Sequence, residues 1–121
     1  MFNIRYYYTV RDDKSPVHEF IETLDIKEQA KVMRNISMLA EFGEKAVRPL
    51  TDTVRGKIRE LRIELSKNQF RILYYFCTGR NIVLLHGFKK KTKQLKNRDI
   101  ETAEKRMADF ERRVKTGEID L

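Results

Sequence analysis

The chain is poor in the side chains that most metal and nucleophile chemistry requires. It has one cysteine, Cys77, and two histidines, His18 and His86. No HExxH, no CxxC and no Gly-rich phosphate loop occurs, so the usual zinc sites, dithiol centres and nucleotide cradles are excluded as sequence motifs. A lone cysteine cannot close an intrachain disulfide. Cys77 lies in an apolar run, which predicts a buried thiol in a reducing compartment. Long hydrophobic runs are missing too. No apolar stretch nears the ~20 residues needed to cross a bilayer, and MFNIRYYYTVRDD lacks the basic-then-apolar layout of a signal peptide. The expected location is the cytoplasm, with no membrane partner. Internal repeats and low-complexity tracts are absent, and 121 residues predict one domain over 1–121.

Carboxylates are scarce in one window. Between Arg55 and Arg98 only Glu60 and Glu64 face thirteen Lys/Arg, whereas residues 1–54 and 99–121 are each slightly acidic. The net charge of +8 therefore belongs to the middle third. A field localised in this way attracts a polyanion by Coulomb force and counterion release. The plainer alternative is a solvated basic face.

Hydrophobic periodicity gives the elements. Phe2, Ile4, Tyr6 and Tyr8 alternate as on a strand with one buried face. Ser15-Pro16 reads as an N-cap and first helical residue, with Val17, Phe20, Ile21 and Leu24 forming an apolar stripe. Asp25 and Glu28 have capping-box spacing ahead of Ile26, Ala30, Met33, Ile36, Leu39 and Phe42, which recur at helical spacing until Gly43. Residues 46–56 contain Pro49 and show no regular pattern, which predicts a connector. Leu61, Ile63 and Leu65, then Phe70 to Cys77, then Ile82 to Phe88 predict three strands joined by short turns as an antiparallel meander. Ile100, Ala103, Met107, Phe110 and Val114 mark a final helix, with Asp99 and Glu101 near its start and Arg112, Arg113 and Lys115 near its end to suit its dipole. The expected architecture is α+β, in the order β-α-α-β-β-β-α, with a small antiparallel sheet, an N-terminal helical hairpin and a C-terminal helix.

Among the basic residues, Arg71 is the one charge inside the run Phe70 to Cys77, and a cation there requires an anionic answer. Two answers are open. One is a salt bridge to Glu60 or Glu64; the other is a phosphate held between Arg71, its neighbour Arg62 and the Lys89-Lys90-Lys91 cluster leaving the adjoining strand. His86, just before that cluster, and Glu64 are candidates for proton transfer, each with a structural alternative: a histidine satisfied by its neighbours, and a carboxylate paired with Arg62 or Arg71. His18 reads as a surface or partly packed residue.

The stretch from Leu50 to Ala103, with ELR at 60–62, FRILYYF at 70–76 and HGFKKKT at 86–92, resembles the RelE/HigB toxin family, specifically its phage-derived HigB-like branch. SPVHEFIETL and LAEFG at 39–43 resemble the helical hairpin of that branch. The resemblance implies the toxin of a type II toxin–antitoxin pair, an mRNA endoribonuclease acting without metal or cofactor, commonly in the ribosomal A site. It also implies a helix-turn-helix, HigA-like antitoxin as partner. On this resemblance Arg71 holds the scissile phosphate, Arg62, or else Arg59 or Lys57, is the basic residue of the preceding strand, and Lys90 or Lys91 protonates the leaving group. Lys57, Arg59, Lys89 and Lys93 are then RNA contacts. Several family members carry a tyrosine or histidine near the C-terminal end as base or stacking group, and after Phe88 this chain has neither. The alternatives are a ParE-like toxin that poisons gyrase by protein contact, and a non-catalytic nucleic-acid-binding module.

Overall fold

Alternation in the central strands decides the layers. In β3 (Ile58–Leu65) and β4 (Asn68–Cys77), Leu61, Ile63, Phe70, Ile72 and Tyr74 point to one side of the sheet, while Ile58, Leu73 and Tyr75 point to the other. Each side needs a cover, and the computed structural model, which describes residues 1–121, supplies one on each. On the first side lie α1 (Pro16–Glu22) and α2 (Ile26–Phe42), whose Val17, Ile21, Val32, Ile36 and Leu39 complete a core with Ile82 and Leu84 of β5 (Asn81–Lys89). On the second lies α3 (Asn97–Lys115), which brings Ala103 and Phe110 onto Val83 and Leu85.

Local chemistry starts and stops the helices where the sequence places the signals. Ser15 Oγ accepts from the His18 amide at 3.2 Å, with Pro16 in the first turn. Asp25 and Glu28 form the reciprocal capping box, at 2.8 and 3.1 Å. Gly43 ends α2 at φ 54°, and a Cβ there would lie 2.1 Å from the Phe2 ring, so neither the backbone nor the packing admits a side chain.

The sheet has five strands in the order β1-β5-β4-β3-β2, where β1 is Asn3–Tyr6 and β2 is Thr51–Arg55. The β3-β4-β5 meander is antiparallel as expected. Two features differ from the sequence reading. The stretch read as connector contains β2, an edge strand paired with β3 and kinked by a bulge between Thr53 and Arg55. Its residues, TDTVR, are mostly polar because only an edge is being formed, so no apolar alternation advertises it. The sheet is also mixed rather than antiparallel throughout: β1 lies parallel to β5, a pairing that spans the helical hairpin and the three strands between them. The strand at the N-terminus ends at Tyr6, leaving Tyr8 exposed, and Tyr7 turns into the second core. Cys77 is only half-buried and is a free thiol.

Candidate functional site

The face of the sheet beneath α3 is apolar at one end and charged at the other. Beyond Ile58 and Tyr75, where the helix stops covering it, β3 and β4 present Glu60, Arg62, Glu64 and Arg71 on the same side. Arg62 and Arg71 stand directly opposite each other in register. Two guanidinium groups so placed repel unless a carboxylate separates them. Glu60 does so: Arg62 Nη1 is 3.1 Å from Glu60 Oε2 and Arg71 Nε is 3.3 Å from Glu60 Oε1. The Arg71 side chain is 1 % exposed, Glu60 7 % and Arg62 15 %, so the group is almost fully desolvated. Glu64 is the outer member, 3.9 Å from Arg62 Nη2 and largely in solvent.

Arg71 is the centre of this cluster, and Glu60 answers it incompletely. Its Nη1 donates to the Phe70 carbonyl at 2.8 Å and its Nη2 to Gln69 Oε1 at 3.3 Å, but Nε meets Glu60 without hydrogen-bond alignment. Burial pushes its pKa down, Glu60 pulls it back, and the charges of Arg62 and Arg48 push down again; a guanidinium remains protonated under all of these. Lys90 continues β5 past its last ladder pair, its amide donating to Gln69 O at 2.8 Å. Desolvation and then the positive charge of Arg71 lower the Lys90 pKa. Arg48, in the loop before β2, adds to the same field while pairing with Asp52 at 2.7 Å.

A bulge in β5 aims the next residues. Leu73 pairs with His86 but Tyr74 pairs with Leu84, so Leu85 is the extra residue. Leu85 and His86 therefore both point toward α3, Phe88 falls opposite Arg71, and Gly87 turns to the α1 side. His86 is fully committed there. Arg106 Nη1, which can only donate, lies 3.2 Å from Nδ1, so Nδ1 accepts and the proton resides on Nε2, which donates to Asp99 Oδ1 at 2.8 Å. Burial lowers the His86 pKa, consistent with a neutral ring. The ring stacks on Phe88, centroids 5.2 Å apart. Beside Phe88 a cavity of about 310 Å³ opens between the end of β5 and the start of α3, with Lys90, Lys91, Lys96 and Arg98 among its lining residues.

The structure thus gathers Arg62, Arg71, Lys90 and Glu64, with Lys91 at the margin; Lys89, predicted with them, pairs with Phe70 and so points to the hairpin side of the sheet. It does not bring all the basic residues together. Lys57 sits in the β2–β3 turn, and Arg59 points to the opposite face, donating to the Tyr74 hydroxyl at 3.3 Å. Lys93 is exposed in the loop before α3. His18 lies on the surface near Glu22. Gln69, Arg48 and Arg106 are the residues that sequence reasoning passes over. For Arg106 a signal existed: Asp99, Ala103, Arg106 and Phe110 follow one helical stripe, so the apolar pair brackets a charge that must face the sheet. No group of three or more His, Cys, Asp or Glu side chains is placed to hold a metal ion, and no helix is long and apolar enough to cross a membrane.

An α+β layout in which two helices cover one side of a mostly antiparallel sheet and a third covers part of the other matches the RelE-like scaffold. Residues 19–108 match the family described as Phage derived protein Gp49-like, and the chain belongs to that family. The match runs from α1 into α3 and includes the whole charged cluster. The family is associated with toxin–antitoxin systems and related to RelE-like toxins, and membership implies a cognate antitoxin. No curated protein matches the chain.

Proposed function

We propose that this chain is an mRNA endoribonuclease of the HigB-like kind, the toxin of a type II pair, which halts translation by cutting mRNA in the ribosomal A site. The observation that carries this reading is the charge imbalance at Arg71: Arg62, Arg71 and Lys90 converge while Glu60 is the sole carboxylate buried among them. Cleavage without a metal has the ribose 2′-oxygen attack the adjacent phosphorus. The protein must then stabilise a doubly charged phosphorane, accept the 2′ proton and donate one to the 5′-oxygen that leaves.

The residues divide these tasks. Arg62 and Arg71 receive the phosphate. Arg71 is reached when Gln69, exposed and held by a long 3.3 Å bond, swings away from Nη2. Lys90, its pKa already lowered, gives up a proton more readily than a solvated lysine and serves the leaving oxygen. Lys91 holds the flanking backbone. Of the two proton-acceptor candidates Glu64 is the better, because both nitrogens of His86 are engaged while Glu64 keeps an open face beside Arg62. His86 is then a positioning residue for Phe88 and the start of α3.

The test is incubation of the purified chain with translating ribosomes, followed by mapping of mRNA 5′ ends. New ends at codon boundaries that vanish in Arg71→Ala are expected. Intact mRNA accompanied by gyrase-dependent DNA damage in cells would replace this reading by the ParE-like one.

A further inference from the structure

A second surface lies behind the cluster. Along α2, Lys31, Asn35, Met38 and Phe42 fall at i, i+4, i+7 and i+11, one stripe of the helix, and this stripe forms a wall of a groove of about 510 Å³. The opposite wall is the loop before β2, with Val47, Pro49 and Leu50, and the floor reaches Arg62 and Glu64 of β3. Phe42 is 48 % exposed and Val47 70 %, unusual for large apolar side chains facing one another across a groove.

One polar atom at this floor has no partner. Asn35 is 4 % exposed and donates through Nδ2 to the Arg62 carbonyl at 2.9 Å, which fixes its orientation and leaves Oδ1 unpaired. A buried acceptor left open is costly. A peptide N–H entering the groove supplies the donor that this atom lacks. The charges around the groove are Lys31, Lys45 and Arg62 against Glu64, which favours an acidic occupant.

We propose that this groove receives a segment of the cognate antitoxin in which apolar anchors fill the space between Phe42 and Val47 and acidic side chains face Lys31, Lys45 and Arg62. The proposal rests on the toxin–antitoxin reading. It places the occupant beside the Arg62–Glu60–Arg71 cluster rather than over it. A carboxylate reaching Arg62 competes with Glu60 for that guanidinium, so docking disturbs the phosphate site from behind while the bulk of the partner keeps the toxin from its target.

The experiment uses the full chain co-expressed with the product of the adjacent reading frame. Phe42→Asp and Val47→Asp, at exposed positions, are expected to fold with unchanged thermal midpoints and to arrest growth like the parent. Each is expected to weaken the purified complex by about 30-fold or more and to resist neutralisation. Ile26→Asp, on the same helix but outside the groove, is expected to bind like the parent. Binding by both groove variants at parental affinity would overturn the proposal, as would a parent that forms no complex. A concentration-dependent dimer of the chain alone, lost in Phe42→Asp while antitoxin binding persists, would also overturn it by making the groove a self-interface. Growth arrest by the parent alone tests the toxin reading separately, so the two failures are distinguishable.

Discussion

Adjacent residues of β4 belong to two different economies. Ile72 faces α1 and α2, is fully buried among aliphatic and aromatic neighbours, and contributes by removing apolar surface from water. Arg71, one residue earlier and equally buried, faces the other way into a group of charges that leaves it incompletely neutralised. The sheet side under the helical hairpin is uniform and serves stability. The side under α3 changes character along its length, because the helix covers only the end occupied by Ile58, Leu73 and Tyr75. A strand therefore carries core and site together, separated by a single step of the pleat.

The sharpest way to break this comparison is to truncate both neighbours. Arg71→Ala is expected to lower cleavage by about 10²–10³-fold, the range for removing a positioned donor from a developing oxyanion. Ile72→Ala is expected to cost about 2–5 kcal/mol of stability by opening a cavity, with cleavage per folded molecule unchanged. Primer-extension rates and denaturant titrations on the same preparations check both. Arg80→Ala, in the β4–β5 turn, removes the same charge and is expected to leave cleavage at the parental rate; an equal loss there would mean a diffuse field rather than a positioned site.

Lys90→Gln comes next, expected to reduce cleavage by about 10²-fold. A proton donor must be protonated to act, and the Lys90 pKa is depressed below 10.5. Parental activity is therefore expected to fall as pH rises through that depressed value, and the variant to lack this alkaline limb. A pH–rate profile unchanged in shape would remove Lys90 from the proton-transfer role.

The smallest effect is expected at the boundary between the covered and uncovered ends. His86 has a folded pKa below its ordinary 6.5, so the unfolded chain takes up the proton first. Its contribution is complete above about pH 6.5 and is lost as pH falls from there through the lower, folded value. Replacement by Gln, which leaves Asp99 and Arg106 less well joined, is expected to cost roughly 1 kcal/mol at neutral pH and to flatten stability between pH 7 and pH 5.5. Thermal melts across that range distinguish this from a merely solvated histidine, whose loss would change neither.

Much of this was legible beforehand. Both N-caps, the end of α2 at Gly43, the three-strand meander and the stripe of α3 follow from local signals that act within four residues. β2 was not legible, since a five-residue polar edge strand buries too little to leave a pattern. Nor was the parallel pairing of β1 with β5, which depends on how the hairpin packs rather than on any residue in β1. For the site, Arg71 stood out as a charge in an apolar run, and its pairing with Glu60 was one of two open answers. Arg59 escaped the same logic: strand alternation from Arg62 puts it on the opposite face, a parity that the count of basic residues conceals. The groove along α2 needed the loop at 46–50 to be placed before its second wall existed.

The extra residue in β5 also fixes which register the end of that strand can hold. Paired at unchanged length without it, Leu85 would stand opposite Leu73 and every later residue would change sides. The His86 imidazole would then be driven to where Gly87 now sits, a place with so little room that even a Cβ would come within 2.6 Å of Phe20. The same slip would withdraw Phe88 from beside Arg71 and leave Asp99 and Arg106 without their imidazole. Phe20, on α1 and on the other side of the sheet, thus holds the charged end of β5 in its register.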